Sequence, residues 1–181
     1  MSDFSVGYAG NGMFTVTSGG ETRTMNIADM DIMLRTEQVE IYDQEIADQY
    51  AEIKAANDKR KAYNELLSQM RSAKEAGKTR AGSDSFELSG YEDEGSKTVR
   101  GWMDYFGMTG TTTEGSVSSA TLDQQWDANI EEVKGLIDEI TSDTELMMLR
   151  FRQMVDKRGT ALQEAKSTMQ QDKQLKDRIL N

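Results

Sequence analysis

Heptad spacing, sustained over nearly sixty residues at the C-terminal end, most limits what this chain can fold into. Between Leu122 and about Leu180, one row reads Trp126, Val133, Ile140, Met147, Met154, Ala161, Thr168 and Leu175. A second, four residues on, reads Ile130, Ile137, Thr144, Phe151, Arg158, Ala165, Asp172 and Ile179. Alternating steps of three and four place both rows on one side of a helix, as a helix–helix seam requires. Beyond Leu146 a third row appears, Met148, Val155, Leu162 and Met169, about 100° around the axis from the Met147 row. The four consecutive apolar residues Leu146 to Leu149 even face every direction. A two-stranded seam needs only a narrow stripe, so this wide apolar arc calls for more than one neighbour.

The partner helix is legible upstream. From about Asn26 to Ala76 there is no glycine, and Gly77 stands where a helix end is expected. Ile32, Val39, Ile46, Ile53, Arg60 and Leu67 form its heptad row, flanked by Tyr42, Ala56, Tyr63 and Met70. A helix of that length extends on the order of 75 Å, more than a compact domain of this mass is wide. Absence of proline removes the usual interior helix breaker. Gly135 and Gly159 each weaken the last helix by roughly 1 kcal/mol relative to alanine. The capping pattern from Ser142 to Glu145 allows a break near 141–143.

Two stretches lack this periodicity. Residues 1–25 are rich in Gly, Ser and Thr, and read as a flexible leader that orders on a partner, or as a weak hairpin around Met13 to Thr17. Residues 77–121 hold eight of the 15 glycines, and only Val99 to Met108 concentrates aromatic and apolar groups. Those residues either pack the insert onto the helices or present an aromatic contact site. The expected fold is therefore all-α: a long antiparallel helical hairpin or coiled coil with a Gly-rich irregular insert. Its divisions are a leader over 1–25, a helix over 26–76, a variable insert over 77–121 and an amphipathic helix over 122–181. The intrachain seam is expected from Ile32, Val39, Ile46, Ile53 and Leu67 against Trp126, Ile130, Val133, Ile137 and Ile140.

Composition narrows the chemistry. The 181 residues are 36% hydrophobic, lean for a compact core, and carry 32 acidic against 21 basic side chains for a net charge of −11. No basic cluster stands out, which argues against nucleic acid as a partner. There is no histidine and no cysteine. Serine–histidine catalysis, thiolate chemistry and the common zinc and di-iron ligand sets are thereby excluded. The segment GYAGNG lacks dinucleotide-loop spacing, and Asp29 and Asp31 are followed by Ile32 and Met33, so they form no EF-hand. The carboxylate pairs Glu131–Glu132 and Asp138–Glu139 read as solvated helix surface. Met147, Met148 and Met154 share heptad rows with Val, Ile and Leu, the placement expected of packing rather than of a Cu(I) site. No cofactor, metal or enzymatic activity is expected. No apolar run reaches 18 residues, so stable membrane insertion is not expected either. Arg150, Arg152, Lys157 and Arg158 flank the apolar arc, but the last segment as a whole holds 12 carboxylates against nine cations.

The stretches MDIMLRTEQVEIYDQEIADQYAEIKAANDKRKAYNELLSQM and DTELMMLRFRQMVDKRGTALQEAKSTMQQDKQLKDRILN, with a leader before and a Gly-rich insert between, resemble the extracellular filament and needle-tip proteins of bacterial type III secretion systems. These are the EspA-like hydrophilic translocators. The resemblance covers about 90 to 100 residues by pattern. It implies a secreted structural protein at the bacterial cell surface, exported unfolded and self-assembling through coiled-coil helices into a filament or tip complex that links needle to pore. Implied partners are other copies of the chain, a secretion chaperone before export, and the needle and pore-forming translocator proteins. The surface expected to meet chaperone or neighbouring subunits comprises Leu146, Met147, Met148, Leu149, Phe151, Met154, Val155, Leu162, Met169, Leu175 and Ile179. Lack of Cys and Pro and the local nature of helical contacts suit export and fast refolding. The other reading is an intracellular coiled-coil adaptor or chaperone that binds partner helices without polymerising.

Overall fold

A computed structural model describes residues 5–18, 20–108 and 119–180. Its elements are β1 (Ser5–Gly10), β2 (Met13–Ser18), β3 (Glu21–Asn26), α1 (Ile27–Glu75), α2 (Val99–Tyr105) and α3 (Ser119–Leu180), with a short 3₁₀ turn at Glu92–Glu94. The chain divides into two compact units. The first joins Met1–Gln49 to Arg150–Asn181, and the second is Tyr50–Leu149.

The expectation of an all-α fold is corrected by the three strands, which form an antiparallel sheet of order β1-β2-β3 where a flexible leader was expected. Its physical basis is a two-residue turn. Asn11 and Gly12 both take positive φ (52° and 73°), as the tightest hairpin turn requires, and Asn-Gly is the pair best suited to it. Alternation does the rest. Val6 pairs with Val16 and Tyr8 with Phe14, which in turn faces Met25, so these side chains share one face. The Tyr8 and Phe14 rings meet edge to face, 5.5 Å between centroids. The opposite face carries Gly7, Thr15 and Thr24, and the Thr17 and Thr22 hydroxyls are hydrogen bonded at 2.9 Å. Threonine is a good strand former, so a Thr-rich segment is compatible with a sheet once its alternation is counted.

In the same unit β3 leads directly into α1. The Asp29 amide donates to Asn26 Oδ1, and Asn26 Nδ2 donates back to the Asp29 carboxylate, both at 2.8 Å, which caps the first turn. The C-terminal part of α3 lies antiparallel to the first part of α1. Asp31 meets Thr168, Arg35 meets Glu164, and Asp43 meets Arg158.

The second unit contains most of the buried core. α1 is closed two residues past its end by Gly77, with φ 64°. Gly77 N donates to Lys74 O (2.9 Å) and Lys78 N to Ala73 O (3.0 Å), a closure that leaves the left-handed residue to glycine. The insert then folds back. Phe86 and Lys97 exchange two backbone hydrogen bonds of 3.0 Å, and Thr98 caps α2 by accepting from the Gly101 amide. This brings Leu88, Val99, Trp102, Met103 and Met108 onto Ala62, Tyr63, Leu66, Leu67, Met70 and Ala73 of α1 and onto Trp126, Ile130 and Val133 of α3.

α3 runs without interruption through 141–143. Thr141 Oγ1 donates to the Ile137 carbonyl (2.8 Å) and Thr144 Oγ1 to the Ile140 carbonyl (2.6 Å), so these hydroxyls bond backward along the helix and the capping pattern there starts no new one.

Candidate interaction surface

Within Tyr50–Leu149, the aromatic segment of the insert is core. Trp102 is fully buried and donates through its indole N–H to the Phe86 carbonyl at 2.9 Å, and Trp126 donates likewise to the Lys78 carbonyl at 3.0 Å. Tyr91 and Tyr105 meet the Trp102 ring edge to face, Phe106 stacks on it, and Tyr63 in turn meets Phe106 edge to face, with Lys97 Nζ 4.8 Å from the Trp102 ring centroid. Burial pushes the Tyr63 and Tyr91 phenols above their ordinary pKa, Tyr63 further by the nearby Glu139 carboxylate. Glu65 holds the insert by accepting from Ser89 N (2.8 Å) and Ser89 Oγ (2.7 Å). Lys74 and Asp127 pair at 2.6 Å between α1 and α3. At the far end of this unit, Leu146, Met148 and Leu149 are exposed, whereas Met147 is half-buried.

Within the other unit the helix seam is largely polar. Buried apolar residues are few among those described there: Val16, Val39, Ala161 and Ala165. Arg35, Arg158, Thr168 and Asp172 occupy seam rows that apolar spacing alone leaves unexplained. Arg35 joins Asp31 (2.9 Å) and Glu164, Thr168 Oγ1 donates to Asp31 (2.9 Å), Arg158 binds Asp43, and Asp172 pairs with Lys176 (2.5 Å). The guanidinium of Arg35, hydrogen bonded to Asp31, holds that carboxyl below its ordinary pKa; Thr168 adds to this and partial burial opposes it.

The expected seam residues fall into two groups. Val39, Ile53, Leu67, Trp126, Ile130 and Val133 are buried, and Ile32, Ile46, Ile137 and Ile140 are half-buried. The expected association surface also divides. Leu146, Met148, Leu149, Val155, Met169 and Leu175 are exposed, while Met147, Phe151, Met154 and Leu162 are half-buried. The Ile179 side chain lies outside the described residues. The half-buried members Met147, Phe151 and Met154 belong to the two rows of the intrachain seam. The exposed Met148, Val155 and Met169 belong to the third row, whose remaining member Leu162 is half-buried, while Leu175 of the first row is exposed near the end of α3.

Sequence periodicity does not point to Leu88, Val99, Trp102 and Met103 as core, because they sit in a segment with no repeat. Trp102 and its neighbours were nonetheless visible as the insert's only aromatic concentration.

Among the described residues no three His, Cys, Asp or Glu side chains come together in a way that could hold a metal ion, and no helix is long and apolar enough to cross a membrane. The chemistry available to the outer face of α3 is apolar contact bordered by charge. No protein family, curated protein or solved structure matches the chain.

Proposed function

We propose that the protein is a self-assembling structural subunit, a filament or needle-tip component of a type III secretion system of the EspA-like kind, whose α3 helix docks on neighbouring copies. One observation carries this reading. Val155 and Met169, 14 residues apart on one heptad row with half-buried Leu162 between them, are exposed on a helix whose inner-row residues Phe151, Met154, Ala161 and Ala165 are buried or half-buried. Such a row has the spacing of a second coiled-coil seam. Large apolar side chains set at that spacing and left in water favour association. Methionine adds a deformable contact suited to helices that exchange partners. In this reading a secretion chaperone covers the same row before export, and neighbouring subunits, needle and pore-forming translocators are met after it. The role is structural, with no reaction to catalyse.

The test is association itself. Concentrated wild-type protein should form high-mass species in sedimentation velocity and elongated particles in electron micrographs. Val155→Asp combined with Met169→Asp should abolish both while circular dichroism keeps its helical signal. Wild-type protein that stays monomeric and instead binds a heterologous helical partner would replace this reading with that of an adaptor or chaperone.

A further inference from the structure

The two helices of the unit formed by Met1–Gln49 and Arg150–Asn181 carry opposite charge. Residues 27–49 of α1 hold seven carboxylates and one cation, while residues 150–180 of α3 hold eight cations and four carboxylates. Ion pairs along or between these helices use Arg35, Arg158 and Lys176. They leave Arg152, Lys166 and Lys173 exposed and outside those pairs. These three alternate with Val155, Leu162 and Met169 in steps of three and four, so cations and apolar groups form a single stripe beside the intrachain seam. Gly159 occupies the remaining cationic position of the stripe, and a side chain added there would meet nothing within 4 Å. On α1 the exposed Ile41, Glu45 and Asp48 follow the same spacing with the opposite charge.

We propose that the Arg152–Lys173 stripe of α3 receives the Ile41, Glu45 and Asp48 stripe of α1 from a second copy of the chain, giving a head-to-tail contact. This rests on the self-assembly reading and adds to it the partner surface and the polarity. Ile41, Glu45 and Asp48 advance in the same steps of four and three as the α3 stripe, so on each helix charged and apolar side chains lie along one line. Pairing α3 with α3 would set cation rows face to face, and pairing α1 with α1 would do the same with carboxylates. Like-charge juxtaposition disfavours both symmetric arrangements and leaves the mixed one. A contact between two different surfaces of one chain closes into a ring or propagates as a filament, and does not stop at a two-fold dimer. Each exposed ion pair contributes little alone, so apolar contacts at Ile41, Val155 and Met169 provide affinity while charge sets which surfaces meet.

Charge reversal tests this with the full chain. A variant with Arg152→Glu, Lys166→Glu and Lys173→Glu, and another with Glu45→Lys and Asp48→Lys, should each lose assembly under conditions where wild type assembles. Mixed one to one, they should co-assemble, and a protein carrying all five changes should assemble by itself. That last variant decides the matter if either partial reversal loses its helical signal. Wild-type assembly should weaken as salt rises. Either one-sided reversal variant assembling like wild type, or a mixture that stays apart, would overturn the pairing, and the Val155→Asp/Met169→Asp result would show separately whether self-assembly stands. Wild type that remains monomeric at low salt defeats both. Wild-type sedimentation with anionic lipid vesicles, lost on reversal of the α3 cations while assembly persists, would assign the stripe to a membrane surface instead.

Discussion

The segment Tyr50–Leu149 and the pair of segments Met1–Gln49 and Arg150–Asn181 are built from parts of the same two long helices, yet they are stabilised by different means. In the first, an aromatic insert folds over both helices and gathers nearly all the large, fully buried side chains, among them Trp102, Trp126, Tyr63, Leu66 and Met70. In the second, a small sheet lies at the start of α1, the one large side chain fully buried among the described residues is Val16, and charged or hydroxyl groups connect the helices. Each fully buried large apolar side chain contributes about 1.5–3 kcal/mol, whereas exposed ion pairs contribute about 0–1 kcal/mol. The comparison teaches that one unit is stabilised chiefly by its own packing, and the other leaves helix surface uncovered that association can use.

The largest expected effect breaks this contrast at its strong end. Trp102→Ala should destabilise Tyr50–Leu149 by about 3–5 kcal/mol, because it removes a buried indole, its bond to the Phe86 carbonyl and the ring contacts of the insert. Urea denaturation followed by tryptophan fluorescence measures this, and a loss below about 1 kcal/mol would show that the insert is not what stabilises the unit. A smaller effect of opposite sign is expected at Asn129, whose fully buried amide has no hydrogen-bond partner for either polar atom. Asn129→Leu should raise stability by about 1–2 kcal/mol, read as a higher urea midpoint.

The smallest effect concerns the polar seam and acid. Arg35 lowers the folded-state pKa of Asp31 below its ordinary value of 3.8. The associated stabilisation is therefore present in full above that ordinary value and fades as pH falls through the lowered one. Amide protection factors over residues 27–49, taken relative to the intrinsic exchange rate at each pH, should fall below about pH 4, and Asp31→Asn should remove that acid-dependent part. An unchanged acid profile in the variant would mean that Asp31 does not couple the helices.

The long helices were largely legible because apolar periodicity and missing glycine are local properties, and α1 and α3 occupy the stretches where those patterns run. The sheet was legible in principle. Asn11-Gly12 and the alternation of Val6, Tyr8, Phe14 and Val16 carry it, but glycine and threonine content masked the pattern. The outer surface was readable as a third heptad row, although which members of the expected set remain exposed depended on where the inner rows pack. Met147 and Phe151 differ from Met148 and Val155 by position around one axis, and only packing separates them into half-buried and exposed.

The sequence by itself determined the two long helices, the absence of histidine and cysteine chemistry and the existence of an apolar arc wider than one seam, since each follows from residue type and spacing along the chain. Tertiary structure alone decided that the insert forms a core with Trp102 at its centre, that Arg35 and Arg158 are ion-pair members within the seam, and that Arg152, Lys166 and Lys173 are left outside those pairs. The reason is physical: periodicity records which way a side chain points from its own helix, while burial and ion pairing depend on segments distant in sequence, joined by contacts such as Ser89 to Glu65 and Arg158 to Asp43.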